Sequence, residues 1–225
     1  MGGLAAAGAG LNGMRHLTLD PADPIGILAI GAHADDIELG AGATILRLLA
    51  EHPGSSILWV IASATPDRAA EARESAAVFS ADAGSFEVLD GDLPDGRLPA
   101  AMAEMKDLLE SVKGRSYDLV LGPHTGDAHQ DHRTVAETVW QTFRNHLIAE
   151  YEIPKFDGDL GRPNLFVDID AAVLQRKIEL IETSFPSQRD RTWWGGETIL
   201  ALARLRGIEA ATRYAEAFHC RKVVI

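Results

Sequence analysis

Apolar residues along the chain form short continuous runs and longer stretches with helical spacing. The first run, IGILAIGA at residues 25–32, is apolar throughout and ends directly at His33, which is typical of a strand buried on both faces. A helical pattern follows at residues 39–51, and His52-Pro53-Gly54 ends it. The start of the chain therefore predicts one strand-then-helix unit.

The same unit recurs three times along the chain. Further strands are predicted at residues 57–63, 86–89 and 117–122, each followed by a helix, at residues 66–80, 98–113 and about 131–149. Strands that alternate with helices predict an α/β fold with a mostly parallel sheet.

The pattern changes after residue 150. An irregular stretch leads to a short strand, LFVDI at residues 165–169, and a helix at residues 171–183. A last helix is predicted at residues 198–214 and a last strand at residues 217–225. Since no repeat or linker divides the chain, we expect one catalytic domain over residues 14–225, preceded by a disordered leader at residues 1–13.

Composition excludes several classes of partner. The formal net charge of −12 disfavours nucleic acid, which is bound mainly through Lys and Arg. Hydrophobic residues make up 46% of the chain, but no apolar run is long enough for a membrane span. The leader lacks the pattern of a secretory signal, so a cytoplasmic location is the default expectation. The apolar C-terminal region could supply an interface for a homo-oligomer.

Polar residues with catalytic potential follow two of the predicted strands. His33-Ala34-Asp35-Asp36 comes after the first strand, and a loop ending in His129-Gln130-Asp131-His132 comes after the fourth. Ligand sites of doubly wound α/β proteins lie outside the carboxyl ends of the strands. Both clusters are therefore expected at the same edge of the sheet.

The two clusters together contain the groups that a hydrolytic zinc site needs. His33, Asp36 and His132 could bind the metal and leave a position for water. Asp35 points away from Asp36 in an extended segment and could act as the general base. His129 could stabilise the oxyanion or protonate the leaving amine, with Asp131 orienting its ring. The same ligands could hold another divalent metal such as iron.

These motifs resemble those of a known enzyme family. AHADDIELG is similar to the AHPDD-type signature, and HQDH to the H-x-D-H signature, of the LmbE/PIG-L-like zinc N-deacetylases. The resemblance covers nearly all of residues 25–222 and implies a single Rossmann-like three-layer sandwich. It assigns metal binding to His33, Asp36 and His132, catalysis to Asp35, His129 and Asp131, and substrate binding to Glu38, Arg68 and Asp95.

The resemblance also implies an activity. We expect zinc-dependent hydrolysis of an N-acyl group, in the simplest case N-acetyl, from an amino sugar such as an N-acetylglucosamine derivative or from another glycoconjugate, giving acetate and a free amine. An amidase acting on a sugar-thiol conjugate or a tailored natural product is an alternative within enzymes. A non-catalytic sugar-binding or metal-binding module is another, although Asp35 beside the ligands disfavours it.

Several residues have competing interpretations. Ala34 replaces the family's usual proline, so neighbouring residues must hold the loop. Asp127 stands where some relatives have a tyrosine, and shaping the loop is its favoured role. Arg68 could instead form an ion pair with Glu71. Trp193 and Trp194 could stack on a sugar ring, pack in the core or form a subunit contact.

Overall fold

A computed structural model describes residues 23–223 of the chain. The predicted leader, residues 1–13, lies outside the described residues. One sheet of seven strands runs through the described part, in the order β3-β2-β1-β4-β5-β7-β6. The strands are β1 (Gly26–Gly31), β2 (Ser56–Ile61), β3 (Ser85–Asp90), β4 (Leu119–Pro123), β5 (Ile148–Tyr151), β6 (Leu165–Asp168) and β7 (Ala215–His219).

The sheet is mostly parallel, as the sequence predicts. Strands β1 to β5 pair in parallel, whereas β7 runs antiparallel to both of its neighbours, β5 and β6. The mixed α/β architecture with a mostly parallel central sheet is therefore confirmed.

Helices cover both faces of the sheet. They are α1 (Asp36–Glu51), α2 (Pro66–Phe79), α3 (Met102–Val112), α4 (Gln130–Thr142), α5 (Ala171–Ser184) and α6 (Gly196–Glu209), with short 3-10 turns at Leu98–Ala101 and Pro186–Gln188. Helices α1, α2, α5 and α6 share one apolar core with one face of the sheet. Helices α3 and α4 share a second core with the other face. The result is the predicted three-layer sandwich.

The alternation of side chains along β1 explains its continuous apolar sequence. Ile27 and Ala29 belong to the core under α1, whereas Leu28 and Ile30 belong to the core under α3 and α4. Since successive side chains of a strand point to opposite faces, a strand covered on both sides needs apolar residues at every position.

Part of the predicted fourth helix is wrong. That helix was expected over residues 131–149, but α4 ends at Thr142, and Ile148–Tyr151 forms β5 between β4 and β7. Residues 147–149 (Leu-Ile-Ala) suit either structure by composition. Pairing with two neighbouring strands decides in favour of a strand, because it satisfies the backbone groups of a buried segment.

The last two predicted elements are displaced by a few residues. The final helix, predicted at residues 198–214, is observed at Gly196–Glu209, and the final strand, predicted at residues 217–225, is observed at Ala215–His219. Residues 224–225 lie outside the described part of the chain. None of the helices in residues 23–223 is long and apolar enough to cross a bilayer.

The order of the strands determines where a site can form. Strands β1, β2 and β3 follow one another in one direction from the middle of the sheet, and β4 and β5 follow in the other. The strand order therefore reverses between β1 and β4, and a crevice opens there at the carboxyl ends of the strands. The loops that follow β1 and β4 carry the two predicted clusters.

Candidate metal and catalytic site

The loop after β1 is held by a side chain of the predicted ligand set. Oδ2 of Asp36 accepts hydrogen bonds from the backbone N–H groups of Ala32 and His33, both at 2.9 Å. This contact stabilises the turn at Ala34, where the resemblance would place a proline. It also leaves Oδ1 of Asp36 directed toward His132, at 3.4 Å from its Nε2 atom.

The three predicted metal ligands converge. Nδ1 of His33 lies 3.2 Å from Nε2 of His132 and 3.6 Å from Oδ2 of Asp36. Zinc bound tetrahedrally by nitrogen and oxygen at about 2.0–2.2 Å separates its ligands by about 3.3–3.6 Å. The pairwise spacing is of the size that such an ion requires, although Asp36 approaches His33 with Oδ2 and His132 with Oδ1.

Each of the two histidines directs its second ring nitrogen at carboxylates. Nε2 of His33 lies 3.3 Å from Oδ2 of Asp131 and 3.3 Å from Oδ1 of Asp95. Nδ1 of His132 lies 2.9 Å from Oδ2 of Asp127. Carboxylates in this position fix the tautomer of a ligating imidazole and make it a stronger donor to a metal. The surroundings of the candidate ligands thus also fit a metal site.

The carboxylates make the site favourable for positive charge. Burial lowers the pKa of His33, but Asp36, Asp131 and Asp95 outweigh it and raise that pKa to about 12. Burial likewise opposes a charge on His132, and Asp36 and Asp127 raise its pKa to about 9. The same carboxylates that stabilise a proton on each ring would stabilise a metal cation bound by the two imidazoles in their neutral form.

The predicted general base has a cationic partner. Asp35 is buried directly before α1, as its N-cap residue, and its Oδ1 atom accepts a hydrogen bond from Arg68 at 2.6 Å. Burial raises the pKa of Asp35 above its usual value, although the nearby Arg68 opposes this shift. The guanidinium therefore helps to keep the buried carboxylate ionised and fixes its orientation.

His129 faces the same centre from the start of α4. One nitrogen each of His129, His33 and His132 lie within 4.8 Å of one another. The backbone N–H of Asp131 donates to Nδ1 of His129 at 3.2 Å, so the neutral ring carries its proton on Nε2. Burial lowers the pKa of His129, and His132 and His33 lower it further.

The carboxylate of Asp131 has a different contact from the one expected. The sequence suggested that it orients the His129 ring, yet its oxygens accept from the backbone N–H groups of Gly96 (2.7 Å) and Leu98 (3.0 Å) and contact His33. Asp131 therefore supports His33 through its side chain, and touches the His129 ring only through its backbone.

The three predicted substrate-binding residues differ in position. Arg68 reaches Asp35, and Asp95, which is half-exposed, reaches His33. Glu38 is 1% exposed within α1, and its burial raises its pKa to about 8. Arg68 and Asp95 therefore reach the candidate site, whereas Glu38 is enclosed behind it.

Two further residues support the candidate site, Asp127 and Lys155, and their roles were not predicted from the sequence. Besides supporting His132, Asp127 accepts from Nζ of Lys155 at 2.9 Å and from the backbone N–H of His129 at 2.7 Å. Lys155 also contacts Asp159 at 2.6 Å. The only sequence signal was the position of Asp127 five residues before His132, which a loop-shaping role explained equally well.

A family profile matches this part of the chain. The profile described as "PIG-L: GlcNAc-PI de-N-acetylase" matches residues 28–143, which contain both clusters. A curated Escherichia coli K12 protein, "Uncharacterized deacetylase YaiS", is 30% identical over 141 residues, which cover 57% of this chain and 74% of YaiS.

Solved structures share the fold at lower identity. The N,N'-diacetylchitobiose deacetylase of Pyrococcus horikoshii, solved with an inhibitor, aligns with a TM-score of 0.66 and 21% identity, over 88% of this chain and 84% of its own. GalB of Pseudomonas putida KT2440, a 4-carboxy-2-hydroxymuconate hydratase, aligns with a TM-score of 0.63 and 19% identity, over 89% and 98%. The fold is therefore common to at least two reaction types, and the choice between them rests on the site.

Proposed function

The chain belongs to the PIG-L family of de-N-acetylases, and from that premise we propose that it hydrolyses the N-acyl group, in the simplest case N-acetyl, of an amino sugar or sugar-containing small molecule. The observation that carries the proposal is the convergence of His33, Asp36 and His132 at 3.2–3.6 Å beside the buried carboxylate of Asp35. Metal ligands and a base within one crevice are what amide hydrolysis by water requires.

We assign the metal position to His33, Asp36 and His132, with zinc as the first candidate and iron as an alternative. When bound there, zinc supplies polarisation of the acyl carbonyl and acidification of the attacking water. Asp127, Asp131 and Asp95 orient the imidazole ligands from behind. The donor set is mixed nitrogen and oxygen, which suits these metals.

Proton transfer is assigned to Asp35, and stabilisation of the oxyanion by a hydrogen bond is assigned to His129. Asp35 accepts a proton from water as the water oxygen forms its bond to the acyl carbon. Nε2–H of His129 donates to the carbonyl oxygen as negative charge develops there. The C–N bond then breaks as the amine nitrogen receives from Asp35 the proton taken from water, and the products are a free amine and a carboxylic acid, which ionises to the carboxylate on release of its proton to solvent. Arg68 holds Asp35 in place throughout.

Substrate recognition is assigned to the polar groups at the rim of the crevice. Asp95 is half-exposed next to His33 and can accept hydrogen bonds from sugar hydroxyls. The free edge of the Arg68 guanidinium can donate to them. Glu38 belongs in the substrate-binding set only if the crevice opens further, because it is almost fully buried.

The experiment that tests the proposal is an assay with controlled metal content. The chain is purified, stripped with a chelator and reloaded with one equivalent of zinc or iron. Acetate and free amine are then measured on N-acetylglucosamine, its glycosides and N-acetylglucosamine thiol conjugates. We expect stoichiometric release of both products with metal, and loss of activity after stripping and in His132→Ala. A folded, metal-loaded protein that releases neither product would overturn the proposal, and hydration of an unsaturated acid would favour a reaction like that of GalB.

A further inference from the structure

An exposed aromatic contact lies outside the groups that the proposed reaction uses. Phe156 is 69% exposed, more than any other large apolar side chain among the described residues. Its ring meets Trp193 edge to face, with centroids 6.2 Å apart and an interplanar angle of 87°. Exposed apolar side chains that form a contiguous patch often mark a binding surface.

The contact is anchored in the core through a row of aromatic rings. Trp193 meets Trp194 at 5.7 Å, and Trp194 meets the fully buried Phe185 at 5.8 Å. Edge-to-face contacts along the row restrict the rotation of each ring. Trp193 therefore presents a fixed surface to Phe156.

On one side, Phe156 is tied to the candidate metal site through its neighbour in sequence. Nζ of Lys155 contacts Asp127 at 2.9 Å, and Asp127 supports the predicted ligand His132 at 2.9 Å. Only two side-chain contacts thus separate the backbone next to Phe156 from the metal position.

The segment that precedes Trp193 contacts α2, the helix that carries Arg68. Both the backbone N–H and the hydroxyl of Ser187 donate to the carboxylate of Glu71, at 3.0 and 2.5 Å. Glu71 lies in α2 three residues after Arg68, which contacts Asp35. The Phe156–Trp193 contact therefore joins two segments, one of which contacts Asp127 through Lys155 and the other of which contacts Glu71 of α2 through Ser187.

We propose that Phe156 and Trp193 form an apolar subsite beside the reacting centre, which binds an aryl or alkyl substituent carried by the N-acylated sugar. This inference rests on the proposed function and names the part of the substrate that does not react. The two rings carry no charge, so the favourable free energy of binding at this subsite would come from removing apolar surface from water. Covering most of the exposed ring of Phe156 is worth about tenfold in affinity or more.

The experiment compares a substrate with and without the apolar substituent. The zinc-loaded full chain is assayed with N-acetylglucosamine and with its phenyl and hexyl β-glycosides. We expect kcat/KM to be about tenfold higher for the glycosides. Phe156→Ala and Trp193→Ala should each reduce that ratio toward one. Phe86→Ala, which removes another exposed phenylalanine ring on β3, is the matched control and should leave the ratio unchanged.

Two outcomes would overturn the inference: a wild-type ratio near one, or a ratio that Phe156→Ala and Trp193→Ala leave intact. Failure of the proposed function is separable from both. If the wild type turns over none of the sugars, binding of the phenyl glycoside is measured by calorimetry. Binding that Phe156→Ala weakens about tenfold and Phe86→Ala does not would then support the subsite while the deacylation proposal fails. The absence of binding would overturn the subsite as well.

Discussion

Nδ1 of His132 and Oδ2 of Asp127 are 2.9 Å apart, and both side chains are almost fully buried. Asp127 occupies a loop and His132 the first turn of α4, so the contact fixes the orientation of a predicted metal ligand from outside its own helix. It also makes the opposite nitrogen, Nε2, the atom that faces His33 and Asp36.

The contact predicts an effect on metal affinity. Asp127→Ala should weaken zinc binding by about 10-fold to 100-fold, because the His132 ring loses the acceptor that fixes its tautomer and orientation. Zinc affinity is measured by competition with a chromogenic chelator. Asp159→Asn, which alters the other partner of Lys155 without touching His132, is the control and should change affinity much less. Equal effects of the two substitutions would contradict the assigned role.

The role of Asp35 predicts a loss of turnover without loss of metal. Asp35→Asn should reduce kcat by about a hundredfold to ten-thousandfold, since an amide cannot accept the proton of water. The zinc content of the variant, measured by mass spectrometry, should stay at one per chain because Asp35 is outside the ligand set. A variant that keeps wild-type kcat would remove Asp35 from the mechanism.

A buried ion pair between Glu152 and Arg206 of α6 predicts a pH-dependent effect on stability. Burial raises the pKa of Glu152, but contacts with His219 and Arg206 outweigh it and hold that pKa below its usual value. When the pKa of a carboxylate is lower in the folded state than in the unfolded state, its ionised form stabilises the fold at pH values above the unfolded-state pKa. This stabilisation is lost as the pH falls through the folded-state pKa.

Glu152→Gln should therefore lower the free energy of unfolding by about 3 kcal/mol at pH 7, at the low end for a broken buried pair because Arg206 keeps Glu209 as a partner. The difference in the free energy of unfolding between the variant and the wild type should shrink as the pH falls below the usual pKa of a carboxylic acid. Urea unfolding at pH 7 and at pH 3.5 measures both values. A difference that grows toward acid pH would contradict this sign.

The buried pair of Lys177 and Glu216 predicts strong coupling between two substitutions. Nζ of Lys177 donates to Oε1 of Glu216 at 2.6 Å and to the carbonyl of Leu39 at 2.7 Å. Lys177→Met and Glu216→Gln should each cost about 3–5 kcal/mol, because each leaves a buried charge without its partner. The double variant should cost clearly less than the sum, which urea unfolding of all four proteins determines. Additive costs would mean that the pair contributes no coupling.

The packing of Gly40 predicts intolerance to a single methyl group. A Cβ atom at this position of α1 would overlap the ring of the fully buried Tyr151, whose hydroxyl donates to the carbonyl of Ile30 at 2.6 Å. Gly40→Ala should therefore lower the free energy of unfolding by about 1–3 kcal/mol. Gly114→Ala, where the added methyl meets open space, is the matched control and should change stability by less than about 0.5 kcal/mol.

The sequence predicted those features that depend on local pattern. The continuous apolar run of β1 and the His and Asp residues directly after β1 and β4 were sufficient to predict a parallel sheet with both clusters at one edge. The positions of β5 and of the Asp131 carboxylate were not predictable in this way. Residues 148–151 become a strand because β4 and β7 flank them, and Asp131 turns to His33 because the N–H groups of Gly96 and Leu98 are within reach. Both depend on contacts between segments distant in sequence.

The carboxylate of Glu216, in β7, accepts hydrogen bonds from the backbone N–H groups of Ala43 and Thr44 in α1, at 3.0 and 2.7 Å, across a separation of more than 170 residues. Strand β6 likewise has β7 as its neighbour in the sheet. A ribosome delivers the N-terminal part of the chain first, at roughly 5–20 residues per second. The helix that carries Asp36 can therefore form its full set of contacts only after translation has reached β7, near the end of residues 23–223.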